Sequence, residues 1–202
     1  MRLPLPVRAA MAAALLGVGC AQVLGIEEAT LDPALGAEAP GAPQLTCESY
    51  CELLEKNCTG ALQQYAGRET CLSTCAVLPI GTASDAEENT LGCRLRYAVS
   101  AGEFEADVNC PAAGPSGNGI CGTNCDALCT IALASCDPAD TIVKNCGTLC
   151  AALPDRGSFD ASMDKGRSVQ CHIYHATAAT RDPSIHCPHA AGVGPCAADL
   201  PP

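Results

Sequence analysis

The sequence predicts a small all-α, disulfide-rich fold made of two tandem repeats of short helices cross-linked through C-x3-C pairs. Seventeen cysteines stand among 202 residues, a density typical of chains stapled by disulfides in an oxidising compartment. Sixteen of them form two octets. The first is Cys47, Cys51, Cys58, Cys71, Cys75, Cys93, Cys110 and Cys121; the second is Cys125, Cys129, Cys136, Cys146, Cys150, Cys171, Cys187 and Cys196. The intervals between them run 3, 6, 12, 3, 17, 16 and 10 residues, then 3, 6, 9, 3, 20, 15 and 8. Chance does not place eight cysteines in register twice, so a duplication is expected. Runs alternating apolar and polar residues long enough for a strand are almost absent.

Residues 1–19 have the parts of a removable export signal. Arg2 and Arg8 form a short positive region, Ala9 to Gly19 is uncharged and apolar, and Gly17-Val18-Gly19 supplies small residues for cleavage. The apolar run is about half the roughly 20 residues that a spanning helix needs. Ending on Cys20, this segment resembles the lipobox of bacterial lipoproteins, in which the cysteine after the cut carries a diacylglycerol. It departs from that pattern at Gly17, where leucine is usual. Cysteine parity agrees with lipidation, because without Cys20 two even octets remain. Ordinary cleavage would instead leave Cys20 as an odd thiol. The stretch from Ala21 to Ala29 resembles the start of mature cysteine-rich lipoproteins of myxobacteria, a likeness of about ten residues that brings no activity with it. Because Ala21 is not the aspartate that retains enterobacterial lipoproteins at the inner membrane, the resemblance implies an outer-membrane protein facing the periplasm or the cell surface.

Residues 20–46, with Pro33, Pro40 and Pro43, read as a lipid-anchored flexible tether. Repeat one follows over 47–121 and repeat two over 125–196. Leu78-Pro79 matches Leu153-Pro154, and Cys110-Pro111-Ala112-Ala113 matches Cys187-Pro188-His189-Ala190. In repeat one, Thr46 is placed to cap a first helix whose stripe is Cys47, Cys51, Leu54 and Cys58. In repeat two, Cys125, Leu128, Cys129, Ala132 and Cys136 follow Asn124 in the same way. Second helices are expected around 68–78 and 141–153, each stopped by the proline beyond it. Third helices are expected around 86–101 and 165–180, and the last two cysteines of each repeat should bracket a Gly/Pro loop.

Each C-x3-C puts two cysteines on one helix face, a turn apart. Antiparallel helices must then pair outer with outer and inner with inner: Cys47–Cys75 and Cys51–Cys71, Cys125–Cys150 and Cys129–Cys146. The simplest remaining pairs are Cys58–Cys93 with Cys110–Cys121, and Cys136–Cys171 with Cys187–Cys196.

Removing Arg2 and Arg8 from the 11 basic residues leaves 9 against 22 acidic ones, a net charge of about −13. With no basic cluster, nucleic acid and anionic headgroups are excluded as electrostatic partners. There is no Trp, and aromatic bulk comes only from Phe104, Phe159 and four Tyr. A core this thin needs staples.

All four histidines fall in repeat two. His172 and His175 are spaced i, i+3 on the third helix, and His186 and His189 flank Cys187 in the loop expected beside it. Repeat one has Arg94, Tyr97, Asn109 and Ala112 at the aligned positions. Imidazoles converging from two segments can ligate Zn2+ or Cu2+; otherwise they pack under the disulfides or face solvent. No C-x2-C, C-x2-C-H, G-x-S-x-G, P-loop or H-E-x-x-H occurs, so no catalytic residues and no organic cofactor are expected. The expected function is a non-catalytic, lipid-anchored binding or structural module of the envelope with an unidentified protein or envelope partner. The alternative is an envelope metal-binding protein using the histidine cluster.

Overall fold

The computed structural model describes residues 43–197. The predicted signal, Cys20 and the tether as far as residue 42 lie outside those residues. Among the described residues there are eight α-helices and no strand. Repeat one supplies α1 (Cys47–Asn57), α2 (Arg68–Cys75), α3 (Leu91–Ser100) and α4 (Ala106–Ala113); repeat two supplies α5 (Asn124–Ser135), α6 (Thr141–Ala151), α7 (Val169–Ala179) and α8 (Pro183–Ala190). No helix among them is long and apolar enough to cross a membrane.

Local chemistry fixes the helix starts. Thr46 caps α1 by accepting from Ser49 N–H at 3.2 Å. Thr123 and Asp126 form a reciprocal capping box at α5, so the cap is Thr123, one residue before the Asn124 that the sequence places there, and Asn124 opens the helix. The third helix of each repeat is capped three residues before its cysteine. Thr90 accepts from Cys93 N–H at 3.2 Å and Ser168 from Cys171 N–H at 3.3 Å.

The fourth helix of each repeat is unexpected, since both carry a proline after the cysteine, Pro111 and Pro188. A proline removes one i→i−4 bond and normally breaks a helix. In eight residues only one turn depends on that bond, and the neighbouring cysteine is cross-linked.

The four helical-hairpin disulfides are paired as the spacing predicts: Cys47–Cys75, Cys51–Cys71, Cys125–Cys150 and Cys129–Cys146. The other four differ. Cys58 joins Cys110 and Cys93 joins Cys121, while Cys136 joins Cys187 and Cys171 joins Cys196. The reason is the packing of α1 on α3. Asn57, at the end of α1, donates from Nδ2 to the Ala98 carbonyl at 2.8 Å, so the C-terminal ends of the two helices meet. Cys93 lies five residues back along α3, about 7.5 Å at 1.5 Å per residue, beyond the reach of a disulfide from Cys58. The unforeseen α4 brings Cys110 there instead.

Two cores result. Repeat one buries Tyr50, Leu54, Tyr65, Leu91, Leu95 and Ala98 among its disulfides. Repeat two buries Leu128, Ile131, Ile142, Phe159, Val169, Ile173 and Ala176, and takes Leu78 from repeat one. Ser73 Oγ meets Thr180 Oγ1 at 2.7 Å, Asn89 Nδ2 donates to Thr130 Oγ1 at 2.9 Å, and Ala161 N–H donates to the Gln63 carbonyl at 2.7 Å. Residues 43–197 are thus a single body, with the repeats sharing a seam.

Candidate metal centre

α7 and α8 form a hairpin turned by Thr180, Arg181 and Asp182, and each carries two histidines at i, i+3, which share a face. His186 and His189 are therefore on a helix and not in the expected loop. Cross-links fix both elements beside the histidines. Cys171, one turn before His175, is bound to Cys196; Cys187, between His186 and His189, is bound to Cys136.

Three of the four imidazoles converge. His175, His186 and His189 each offer a ring nitrogen within 4.8 Å of the others. Nδ1 of His175 lies 2.9 Å from Nδ1 of His186, with the rings stacked at 5.2 Å. The His189 ring stands edge-on to both, at 4.8 Å from His175 and 5.7 Å from His186. Tetrahedral Zn–N bonds of about 2.05 Å hold their nitrogens about 3.3 Å apart. Opening the His175–His186 pair by a few tenths of an ångström, and drawing in His189 from a nitrogen no more than 4.8 Å away, meets that demand. Nδ1 of His189 is buried without a hydrogen-bond partner, so one donor is orphaned in the protein alone.

His172 does not join them. Its Nδ1–H donates to the Ala190 carbonyl at 2.7 Å, and its Nε2 is buried without a partner. The aligned residue of repeat one explains this placement. Fully buried Arg94 donates from Nε to Gly114 O at 3.0 Å, from Nη1 to Thr90 O at 3.2 Å, and from Nη2 to Pro115 O at 3.1 Å and Asn89 Oδ1 at 2.7 Å. Both residues clamp the third helix to the end of the fourth. His172 is the clamp of repeat two.

The same register accounts for His175. Tyr97 Oη donates to the Ala86 carbonyl at 3.4 Å, and His175 Nε2–H to the Asp164 carbonyl at 3.1 Å. Ala86 and Asp164 each lie seven residues before the third-helix cysteine. Repeat two thus inherits a tether that orients the ring and leaves Nδ1 free toward His186 and His189. A backbone carbonyl on the far nitrogen is how ligating histidines are commonly held. Asp164 was not foreseen from the histidine spacing, although the repeat register marks its position. Because Nε2 of His175 donates, its Nδ1 accepts and Nδ1–H of His186 donates. Ligation through Nδ1 of His186 requires that proton to move to the other nitrogen.

Burial disfavours the charged form of His175, His186 and His172. It pushes the His175 pKa down to about 4, aided by the neighbouring His189 and His186 and opposed by the Asp164 carbonyl. The His186 pKa is lowered by burial and by His189, against the pull of Asp182. Burial also lowers that of His172, despite the bond to Ala190. Neutral imidazole is the form that binds metal.

A second concavity lies between α1 and α2, with a volume of about 260 Å3. Leu54, Tyr65 and the Cys51–Cys71 disulfide floor it, and the exposed Glu55–Arg68 ion pair, at 2.8 Å, lies at its rim. The buried, unpartnered Oε1 of Gln64 packs against Gly114.

Residues 32–126 match the BfoA family C-terminal domain. The match covers repeat one and just under half of the chain, and leaves the histidines outside it. The chain is also 32% identical over 79 residues to the Aurasperone B biosynthesis cluster protein A of Aspergillus niger. That match spans 39% of this chain and 26% of the fungal protein, about a quarter of its length. No solved structure matches.

Proposed function

We propose that this is an exported, non-catalytic binding module, anchored by lipid at Cys20 to the outer membrane, that holds Zn2+ or Cu2+ through His175, His186 and His189. The convergence of three imidazoles from α7 and α8, each pinned by its own disulfide, carries the metal reading. Support for export comes from sixteen cysteines paired in eight disulfides. The anchor rests on the signal-like residues 1–19 and on Cys20 as the odd seventeenth cysteine. An anchored module of this kind would present its metal site, or a docking face, to an envelope partner.

Protein purified without a His tag should contain or take up one equivalent of Zn2+ or Cu2+ by elemental analysis and calorimetry. His175→Ala with His189→Ala should abolish uptake and leave the circular dichroism unchanged, because the disulfides hold the fold without metal. Uptake by that double variant would sink the metal reading. Cys20→Ser should move the protein from the membrane to the soluble fraction; continued membrane partitioning would sink the anchor.

A further inference from the structure

We infer that Cys171, Cys196 and His175 form a second, redox-gated metal site, in which two sulfurs and one nitrogen would take a soft or borderline divalent ion. It deepens the metal reading above, because both sites draw on His175. The two sulfurs and a ring nitrogen of His175 lie within 4.8 Å of one another, all buried. Cys171 and His175 are one turn apart on α7, and Cys196 closes the 3-10 turn Gly194–Cys196 against them. In the oxidised protein the sulfurs are bonded to each other and cannot ligate. A dithiol reductant cleaves the Cys171–Cys196 bond by two electrons, two protons pass to the sulfurs, and the reductant closes to its own disulfide. An incoming divalent ion then displaces both thiol protons.

Thiolates with imidazole form a softer set than three imidazoles and favour Zn2+, Cd2+ or Co2+ over oxygen-seeking ions. With Nε2 tied to the Asp164 carbonyl, His175 has one nitrogen to give. Both sites draw on the one His175 ring, and the state of the disulfide decides whether the sulfurs can join it. Position makes this bridge the one to open. Cys196 ties the three-residue 3-10 turn Gly194–Cys196 to α7, whereas Cys136–Cys187, which also has a nearby donor in Asp140, ties α8 to α5. Repeat one has Tyr97 where His175 stands, so its Cys93–Cys121 bridge lacks the imidazole.

Co2+ is the probe. The full mature chain is reduced stepwise with a water-soluble phosphine, which takes up water oxygen to become the phosphine oxide as each disulfide yields two thiols. Peptide mapping after alkylation identifies the opened bridge. Once Cys171 and Cys196 are free, Co2+ should produce thiolate-to-metal charge-transfer absorption. The band should persist in the His186→Ala, His189→Ala variant, and His175→Ala should weaken Co2+ binding at least tenfold. Cys171→Ser with Cys196→Ser should remove the band; His175→Ala keeps the test valid if that variant fails to fold. Free Cys171 and Cys196 without a band would overturn the inference, as would a band surviving the double-serine change. If the oxidised protein takes up no Zn2+ or Cu2+ and the band still forms on reduction, the three-histidine reading falls and this one stands.

Discussion

Acidification should weaken metal binding less steeply than three histidines would ordinarily imply. An imidazole with a pKa near 6.5 loses about 30-fold in apparent affinity to proton competition at pH 5, and three of them would lose about 3 × 10^4. His175, held to about 4 by burial, is still about nine-tenths neutral at pH 5 and contributes almost nothing to that loss. Shielding His175 removes one of the three roughly 30-fold factors, and the lowered pKa of His186 reduces the loss further. Plotted logarithmically against pH, the affinity should have a slope no greater than 2 between pH 6 and 5. Competition against a chromophoric chelator for Zn2+, in half-unit steps from pH 7 to 5, measures it. A slope of 3 would show that His175 is not shielded and refute the reasoning. A flat profile would show that the imidazoles are not the ligands.

Without metal, stability should decline as pH falls from about 6.5 toward about 4. The native pKa of His175 and the lowered one of His172 lie below the unfolded value, so the unfolded chain binds more protons in that window. His172→Asn with His175→Gln should flatten that part of the Tm profile in calorimetry; an unchanged profile would count against it. Arg94→Met should cost about 2–4 kcal/mol in denaturant unfolding, because buried carbonyls of Gly114 and Pro115 lose their donor; a loss under about 0.5 kcal/mol would mean the clamp is dispensable. Phe159→Ala should cost about 3–5 kcal/mol, since that ring is buried at the centre of the repeat-two core. Gly194→Ala, at φ 66°, would add strain and set a Cβ 3.2 Å from Nε2 of His189. It should lower metal affinity with little change in helix content, and unaltered titration curves would refute that.

The repeats, their helical class and the four hairpin bridges were legible because each rests on local periodicity. C-x3-C presents two sulfurs on one face of any helix, and antiparallel neighbours admit one pairing of such faces. The other four bridges were not legible, since they depend on which helix end meets which. Asn57 against Ala98 sets that, and no spacing encodes it. α4 and α8 were hidden by Pro111 and Pro188, whose local penalty is outweighed by the cross-links and packing around them.

The histidine cluster divides along the same line. By itself the sequence determined that four imidazoles gather in repeat two, as i, i+3 pairs near cysteines, with no counterpart in repeat one. Only the tertiary structure decided that His175, His186 and His189 meet while His172 turns to the Ala190 carbonyl. Spacing along one helix fixes which side chains share its face. Which of them faces a second helix, and which fills the clamp position beneath it, depends on how α8 folds back over α7, and that is set by disulfides between residues 25 and 51 apart in the chain.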